Sequence, residues 1–596
     1  MKRISCLLIL LFGMFLPAAA GPVDAARAAS VARSFFQNDR NVALRFAPLQ
    51  RVEQAAAPLT KAGAEHPAYY IFNREGGGFV IVAGDDACKP VLAYSYDHPF
   101  VTDDTMPEGL SDWLSDFEEQ VSLVRAEGVR PADADRVWAS ALVATKAENG
   151  YKPAIQWKTP IWSQGAPFNS LTPIQGDKHC VTGCVPLAMG MLMRFFTYPA
   201  KGEGTLASYS YDLDNETYSI DGYDLGYPYD WEHIRYDYTG EYTEEEGAAV
   251  ARLVYDCGVA VQAKFAETTS ASTPLMAGRA AEYFGFDPAA YYYKRDFVGD
   301  EAWLELLKGD LQDHPVLYSA RRDGGGHSFL VDGYDEQGLV SVNWGWGGNN
   351  NGFYALSAFT PRDNRQYLYR HGAVFGLVPK QGSGKASRGY LYFQAGTSSS
   401  GTEYKGLTPL EDIRPGKPFT MRAGFLYNGG IYPFEGQYFL ALTDENGVVK
   451  EQISDVKDID PIIPGHGRGY TSIDCTMQSY PMEGERIRLL YRSSDWPADV
   501  WEFPVYSPDI TAEILVSDAS TLSGVTSIRY DKSRHEMVIQ TKDRVEWSLT
   551  SSSGTAVTTG IRYSGGQLTI DTASLKGSYK LSLQRGKDQY SLTLIF

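Results

Sequence analysis

Thiolate chemistry asks for a cysteine at a helix N-terminus, a histidine, a group that orients the histidine and a donor for the oxyanion. One segment of this sequence holds all of them. Cys184 stands in Thr182-Gly183-Cys184-Val185-Pro186-Leu187-Ala188-Met189. Gly183 permits a tight approach turn, and Pro186 is tolerated only in the first turn of a helix. The apolar run that follows predicts a buried helix starting at Cys184, where free N–H groups and the helix dipole favour the thiolate. His327 follows 327 − 184 = 143 residues later, in Gly324-Gly325-Gly326-His327-Ser328-Phe329-Leu330-Val331. Its glycines, Gly325 and Gly326 among them, suit a chain that passes close to a ligand. The apolar run after it predicts a strand that starts at a cleft. Asn343, in Val342-Asn343-Trp344-Gly345-Trp346-Gly347-Gly348, offers an amide oxygen to hold the imidazole, with Trp344 shielding that bond from water. Gln164 lies 184 − 164 = 20 residues before the cysteine. Its amide and the Cys184 N–H would form a two-donor oxyanion hole. A lone cysteine is ordinarily a small buried residue. The ordered set of four is what points to a nucleophile.

The rest of the chain must position and deliver these residues. At 596 residues, three or four domains are expected. A net charge of −19 argues against a nucleic-acid partner. Residues 1–20 read as a signal peptide: Lys2 and Arg3, an apolar run over 7–16, then Ala18-Ala19-Ala20. That run is too short to span a bilayer, and no other apolar run is long enough. An exported chain, secreted or at the cell surface and without stable membrane insertion, is expected. Beyond the signal peptide remain Cys88, Cys180, Cys184, Cys257 and Cys475, which make no disulfide framework. Cys180 is either a regulatory disulfide partner of Cys184 or a plain loop residue. No metal or cofactor is expected, since there is no HExxH, no Cys/His cluster at zinc spacing and no phosphate-binding glycine loop.

From 21 to 146 the pattern is mixed. A helix is predicted over 31–36, paired strands over 68–73 and 78–83, and a helix over 109–126 with Trp113, Phe117 and Val121 on one face. Residues 141–152 read as an exposed linker and processing site. The segment 147–380 carries the chemistry, and 381–388 is a Gly/Ser/Lys-rich linker. Alternating strands predict a β-sandwich over 388–516 and a second small β-domain over 523–596.

Four motifs then carry a resemblance: Trp162-x-Gln164-x-x-Pro167-Phe168-Asn169, Thr182-Gly183-Cys184-Val185, Gly325-Gly326-His327-x-Phe329 and Asn343-Trp344-Gly345-Trp346-Gly347-Gly348. Over roughly residues 21–380 the chain resembles the streptopain family of cysteine peptidases. The Cys-to-His spacing also lies within the roughly 130–150 residues of papain-like enzymes. The resemblance implies an α+β fold: a papain-like catalytic domain of two subdomains, an N-terminal propeptide and, here, C-terminal all-β domains. It implies protein or peptide substrates, with the chain's own propeptide as inhibitor, blocking the cleft and displacing the histidine. Trp344 matches the tryptophan that flanks the catalytic histidine, and Ser270 and Ser272 fall where the family's substrate cleft is lined. Two departures are Pro186-Leu187 where the family usually has Ala-Thr, and Ser328 where it has Ala. Residues 565–581 resemble sorting domains of type nine secretion, and an ordinary β appendage fits them equally. A non-catalytic adhesin with a degenerate protease-like domain, and a transferase or amidase on the same scaffold, remain alternatives.

Overall fold

The computed structural model describes residues 21–52, 66–102, 106, 108–128, 130–143, 151–322, 325–358, 370–382, 386–387, 389–397, 401–482, 484–507, 510–515, 525–531, 534–541, 544–551, 553–562 and 566–595. The predicted signal peptide and residues 144–150 lie outside them. The chain forms two compact units. The first is Met1–Ala271, Tyr283–Phe286 and Val298–Pro379; the second is Ser272–Glu282, Asp287–Phe297 and Lys380–Phe596.

In the first unit, helix α1 (Ala25–Phe36) starts at Asp24, whose carboxylate accepts the Arg27 N–H at 2.7 Å. That cap explains why the helix reaches further back than its apolar periodicity alone predicts. Strands Tyr69–Arg74, Phe79–Ala83 and Val91–Ser95 then pair antiparallel in order. Their residues alternate little between buried and exposed, because both faces are covered. Helix α2 (Glu108–Glu127) follows, matching the predicted 109–126, and then α3 (Ala134–Leu142). Leu110, Trp113, Leu114, Phe117 and Val121 recur at helical spacing, and all are fully buried. Each such side chain contributes on the order of 1.5–3 kcal/mol on burial.

The sheet does not end at residue 95. Val91–Ser95 pairs with Gly352–Tyr354, placing Tyr94 opposite Phe353, and the ladder continues through Val340–Asn343, Gly325–Asp335, Val316–Arg322 and Arg370–Phe375. Pro153–Gln156 lies along the far end of Gly325–Asp335. N-terminal and catalytic segments therefore share one sheet, and α2 packs on its Val316–Arg322 and Gly325–Asp335 strands. Helix α4 (Cys184–Phe196) is apolar all round and buried from Val185 to Met193. Helix α5 (Glu244–Ala260) opens with a reciprocal cap between Thr243 and Glu246 and packs on α4. At Gly190 the two helices come so close that a Cβ would lie 3.1 Å from Val254. No helix among the described residues is long and apolar enough to cross a membrane.

The second unit holds the predicted β-sandwich. Pro418–Asn428 pairs with Leu391–Gln394, Leu407–Pro409 and Gly467–Thr476 in one sheet. Phe434–Thr443 pairs with Val449–Gln452, Lys457–Ile462 and Arg486–Ser493 in the other. The last domain's boundary differs from the predicted 523–596. Its first sheet begins with Ser479–Tyr480, lent from the middle of the sandwich sequence and paired with Val525–Asp531. Tyr480 and Met482 belong to that domain's core. The lent strand is held by Glu451, whose carboxylate accepts the Gln478 and Ser479 N–H groups at 2.6 and 2.8 Å. The predicted 147–380 segment also gives up 272–282 and 287–297 to this unit. Gly278 packs so tightly on the Ile431 carbonyl that no side chain fits, and the Tyr390 hydroxyl donates to the Tyr292 carbonyl at 3.0 Å.

Candidate active site

Cys184 is the first residue of α4. Gly183 before it has φ +85°, and a Cβ there would lie 2.7 Å from Thr269 Cγ2, so glycine meets both a conformational and a steric demand. The first helical bond runs from the Leu187 N–H to the Gly183 carbonyl at 3.2 Å. Pro186 sits in that first turn, where a missing N–H costs nothing. Two contacts hold the approach. The Thr182 N–H donates to the Gln164 carbonyl at 3.1 Å, and Thr269 Oγ1 donates to the Val181 carbonyl at 2.7 Å. Gln164 is thus tied to the chain two residues before the cysteine, its side chain half-buried.

Among the described cysteines all five are free, and Cys184 alone is not fully buried. Cys180 therefore makes no disulfide with it. Burial pushes Cys88 and Cys475 up to about 12. Burial also acts upward on Cys184, but it is outweighed by the charge of His327, a hydrogen bond with that ring, and the Ser328 and Cys184 N–H groups. Together they hold the thiol below its ordinary value. This is the signature of an activated thiol at a helix start.

His327 lies near the beginning of Gly325–Asp335 and is buried. Its Nε2 meets the Trp344 carbonyl at 3.1 Å. A carbonyl only accepts, so Nε2 carries a proton, which leaves Nδ1 for the pair with the thiol. The ring stacks near Phe329 and Trp344, with centroids 5.9 and 6.5 Å away. It is not carried out of reach of Cys184, in contrast to the displacement that the resemblance implies. What covers it is α2: a Cβ on Gly109 would lie 2.5 Å from His327 Cβ.

Asn343 is buried, and its amide points elsewhere. Nδ2 donates to Thr159 Oγ1 at 2.9 Å and to the Pro160 carbonyl at 2.8 Å, while Oδ1 accepts the Gly345 N–H at 3.1 Å. Thr159 in turn donates to Asp332 at 2.6 Å. Asn343 thus braces the turn that carries the Trp344 carbonyl and does not itself hold the imidazole. Trp344 is fully buried, its indole N–H donating to the Asn350 carbonyl at 3.2 Å. Gly325 and Gly326 are exposed at the strand start, with open space beside Gly325. Ser270 is exposed and pairs its backbone with Lys264. Ser272 belongs to the second unit, where its Oγ accepts the Leu275 N–H at 3.4 Å at the start of helix Thr273–Tyr283. Among the described residues no group of three His, Cys, Asp or Glu is placed to hold a metal ion.

Sequence reasoning missed the residues that join the N-terminal segment to this site. The Trp113 indole N–H donates to the Ala355 carbonyl at 3.0 Å. Gln120 Oε1 accepts from the Ser357 hydroxyl and the Ala358 N–H at 3.1 and 2.7 Å. Asn350 pairs both amide groups with the backbone of Val101, at 2.7 and 3.1 Å. The Tyr94 hydroxyl donates to Asp335 at 2.9 Å, and burial pushes that carboxyl up to about 6. The apolar stripe of α2 was a visible signal that it covers something, though not what.

A thiol paired with an imidazole at a helix N-terminus, under a segment that completes the same sheet, is the arrangement of a cysteine peptidase site covered by another part of its own chain. Comparison with known proteins gives the same class. Residues 162–354 match the model of the peptidase C10 family, and residues 20–121 match that described as Spi protease inhibitor. Over residues 162–354 the chain is thus similar to the peptidase C10 family, and over residues 20–121 to a protease inhibitor family. It is 29% identical over 370 residues to the thiol protease/hemagglutinin PrtT of Porphyromonas gingivalis, covering 61% of this chain and 42% of that one. It thus spans less than half of that relative's length. It is also 29% identical over 310 residues to streptopain of Streptococcus pyogenes, covering 49% of this chain and 74% of the relative. Among solved structures it is similar to a prointerpain A fragment of Prevotella intermedia, at 27% identity and TM-score 0.44, covering 56% of this chain and 99% of that one.

Proposed function

We propose that the chain is the latent form of a secreted cysteine endopeptidase, with Cys184 as nucleophile and His327 as its general base and acid. The observation that carries this reading is the thiol held below its ordinary value by His327 at the start of α4. The Cys184 thiolate attacks the scissile carbonyl carbon. The Cys184 N–H and the Gln164 amide stabilise the oxyanion, each such donor being worth roughly a hundredfold or more. His327 then gives its proton to the leaving amine, and the peptide bond breaks to leave a thioester. Water, deprotonated by His327, hydrolyses the thioester and restores the thiol. Asn343 and Trp344 act as positioning residues: the first braces the turn, the second lends its carbonyl to the imidazole N–H and its ring to the wall beside it.

Residues 21–146 act as the propeptide. Gly109 against His327 supports this, because a peptide carbonyl cannot reach the pair while α2 lies there. Residues 141–152 hold the activation site in this reading, and residues 1–20 direct export. The test is labelling by an active-site-directed epoxide, together with Cys184→Ala. The processed wild type should label at Cys184 and cleave casein, and the variant should lose at least about 10⁴-fold in kcat/KM. Casein cleavage by the variant at the wild-type rate would sink the assignment. Failure of the wild type to label or cleave would favour a binding protein with an inert site.

A further inference from the structure

The propeptide both covers His327 and fills a socket beside it. Trp113 lies one helical turn beyond Gly109, about 6 Å along α2. Its ring is fully buried and surrounded by aromatic rings from the catalytic sheet and its adjoining loop. The ring centroids are 4.7 Å away at His371, 5.8 Å at Trp344, 5.9 Å at Tyr354, 6.2 Å at Phe329 and 6.4 Å at Tyr318. The approaches to His371 and Trp344 are edge-to-face, the geometry that aromatic pairs favour. A single backbone acceptor, the Ala355 carbonyl, takes the indole N–H. His327, Ala320 and His371 stand opposite one another on neighbouring strands, so their side chains share a face. Trp113 and the catalytic imidazole therefore contact the same surface of the sheet.

When the propeptide leaves, this socket loses its occupant but keeps its shape-giving rings and its acceptor. We propose that it is a substrate subsite for an aromatic side chain on the leaving-group side of the scissile bond, and that Trp113 occupies it as a surrogate in the latent chain. The side follows from the chemistry. His327 protonates the leaving amine, so the departing half of the substrate lies over the His327 strand, away from the oxyanion donors at Gln164 and Cys184. An extended peptide advances about 3.3 Å per residue, so a span of about 6 Å puts the side chain within two residues after the bond. The lining rings include the His371 imidazole, and the polar partner of the Trp113 indole N–H is the Ala355 carbonyl. That carbonyl rewards an indole N–H above a phenyl ring, and an acidic or small side chain would leave the rings unfilled.

This inference rests on the peptidase reading, and one experiment separates the two. The full chain is expressed and allowed to process, then offered quenched fluorescent peptides identical up to the scissile bond. These carry Trp, Phe, Leu, Ala or Asp at the first or second residue after it. The expected result is an order Trp, Phe, Leu, Ala, Asp in kcat/KM at one of the two positions, with Trp over Ala by tenfold or more, about what one well-filled apolar subsite delivers. In Phe329→Leu, which loosens the socket, the Trp-to-Ala ratio should fall several-fold. Equal rates across the series, or a ratio unmoved in a folded Phe329→Leu enzyme, would overturn the subsite while leaving the peptidase standing. Cleavage of none of the peptides would overturn both.

Discussion

Helix α4 begins at Cys184 and helix α2 against its partner His327, and the two act on the pair in opposite senses. Helix α4 starts with Cys184 itself, behind a glycine, and its free N–H groups support the thiolate. Helix α2 brings its second residue, also a glycine, onto the imidazole face, where there is no space for a side chain and none for a substrate. The first helix belongs to the core of its subdomain and is apolar on all sides. The second is apolar on one face only and owes its place to that stripe. Activation and latency are thus built from the same element, a helix start. The difference lies in what anchors each: a buried core for α4, and for α2 an interface that must come apart.

That difference can be broken most strongly at Trp113. Trp113→Ala removes the largest anchor of α2 and should cost about 3–5 kcal/mol of docking. Alkylation of Cys184 in freshly purified, unprocessed chain should then rise by roughly a hundredfold or more. An unchanged rate would mean that α2 is not what shields the thiol.

The strand seam comes next. Burial raises Asp335, beside Tyr94, to about 6. An acid raised in the folded state stabilises that state below its unfolded value near 3.9, and loses the contribution as pH rises through about 6. Asp335→Asn should therefore gain on wild type by about 2–3 kcal/mol, at most, as pH rises from about 4 to about 7. Thermal melts of the latent chain at several pH values check this, and a difference that does not change with pH would contradict it.

Gly109→Val is a smaller perturbation. Its new side chain must lift the first turn of α2 off His327, and alkylation of Cys184 should rise about tenfold, as overpacking by a few methyl groups costs about 1–3 kcal/mol. No change would show that the turn does not press on the imidazole. The subtlest effect concerns α4 alone. The pH profile of Cys184 alkylation should inflect below the ordinary thiol value of about 8.5, and an inflection at or above it would remove the electrostatic account of the site.

How much of this was legible depended on range. The start of α4 was readable because Gly183, Cys184 and Pro186 settle it within one turn, through φ, capping and a missing N–H. The helix over 109–126 was readable because its stripe is periodic. The orientation of Asn343 was not, because its partners Thr159 and Pro160 lie more than 180 residues away and nothing local marks them. The same holds for the pairing of Tyr94 with Phe353, for residues 272–297 shared out between units, and for Ser479–Tyr480. Each is a long-range ladder or packing choice that short windows of sequence do not encode. The α2 stripe told that a partner surface exists, but only the fold shows that it is the catalytic sheet.

The strand Ser479–Tyr480 has a consequence of its own. A proteolytic nick anywhere in residues 516–524 severs the chain but not the ladder to Val525–Asp531, nor the core that Tyr480 and Met482 share with Ile528 and Met537. The two fragments would remain a noncovalent complex governed by mass action, and deletion of everything after 515 would turn two apolar side chains out into water. Shedding of the last domain is therefore a dissociation equilibrium rather than a single cut.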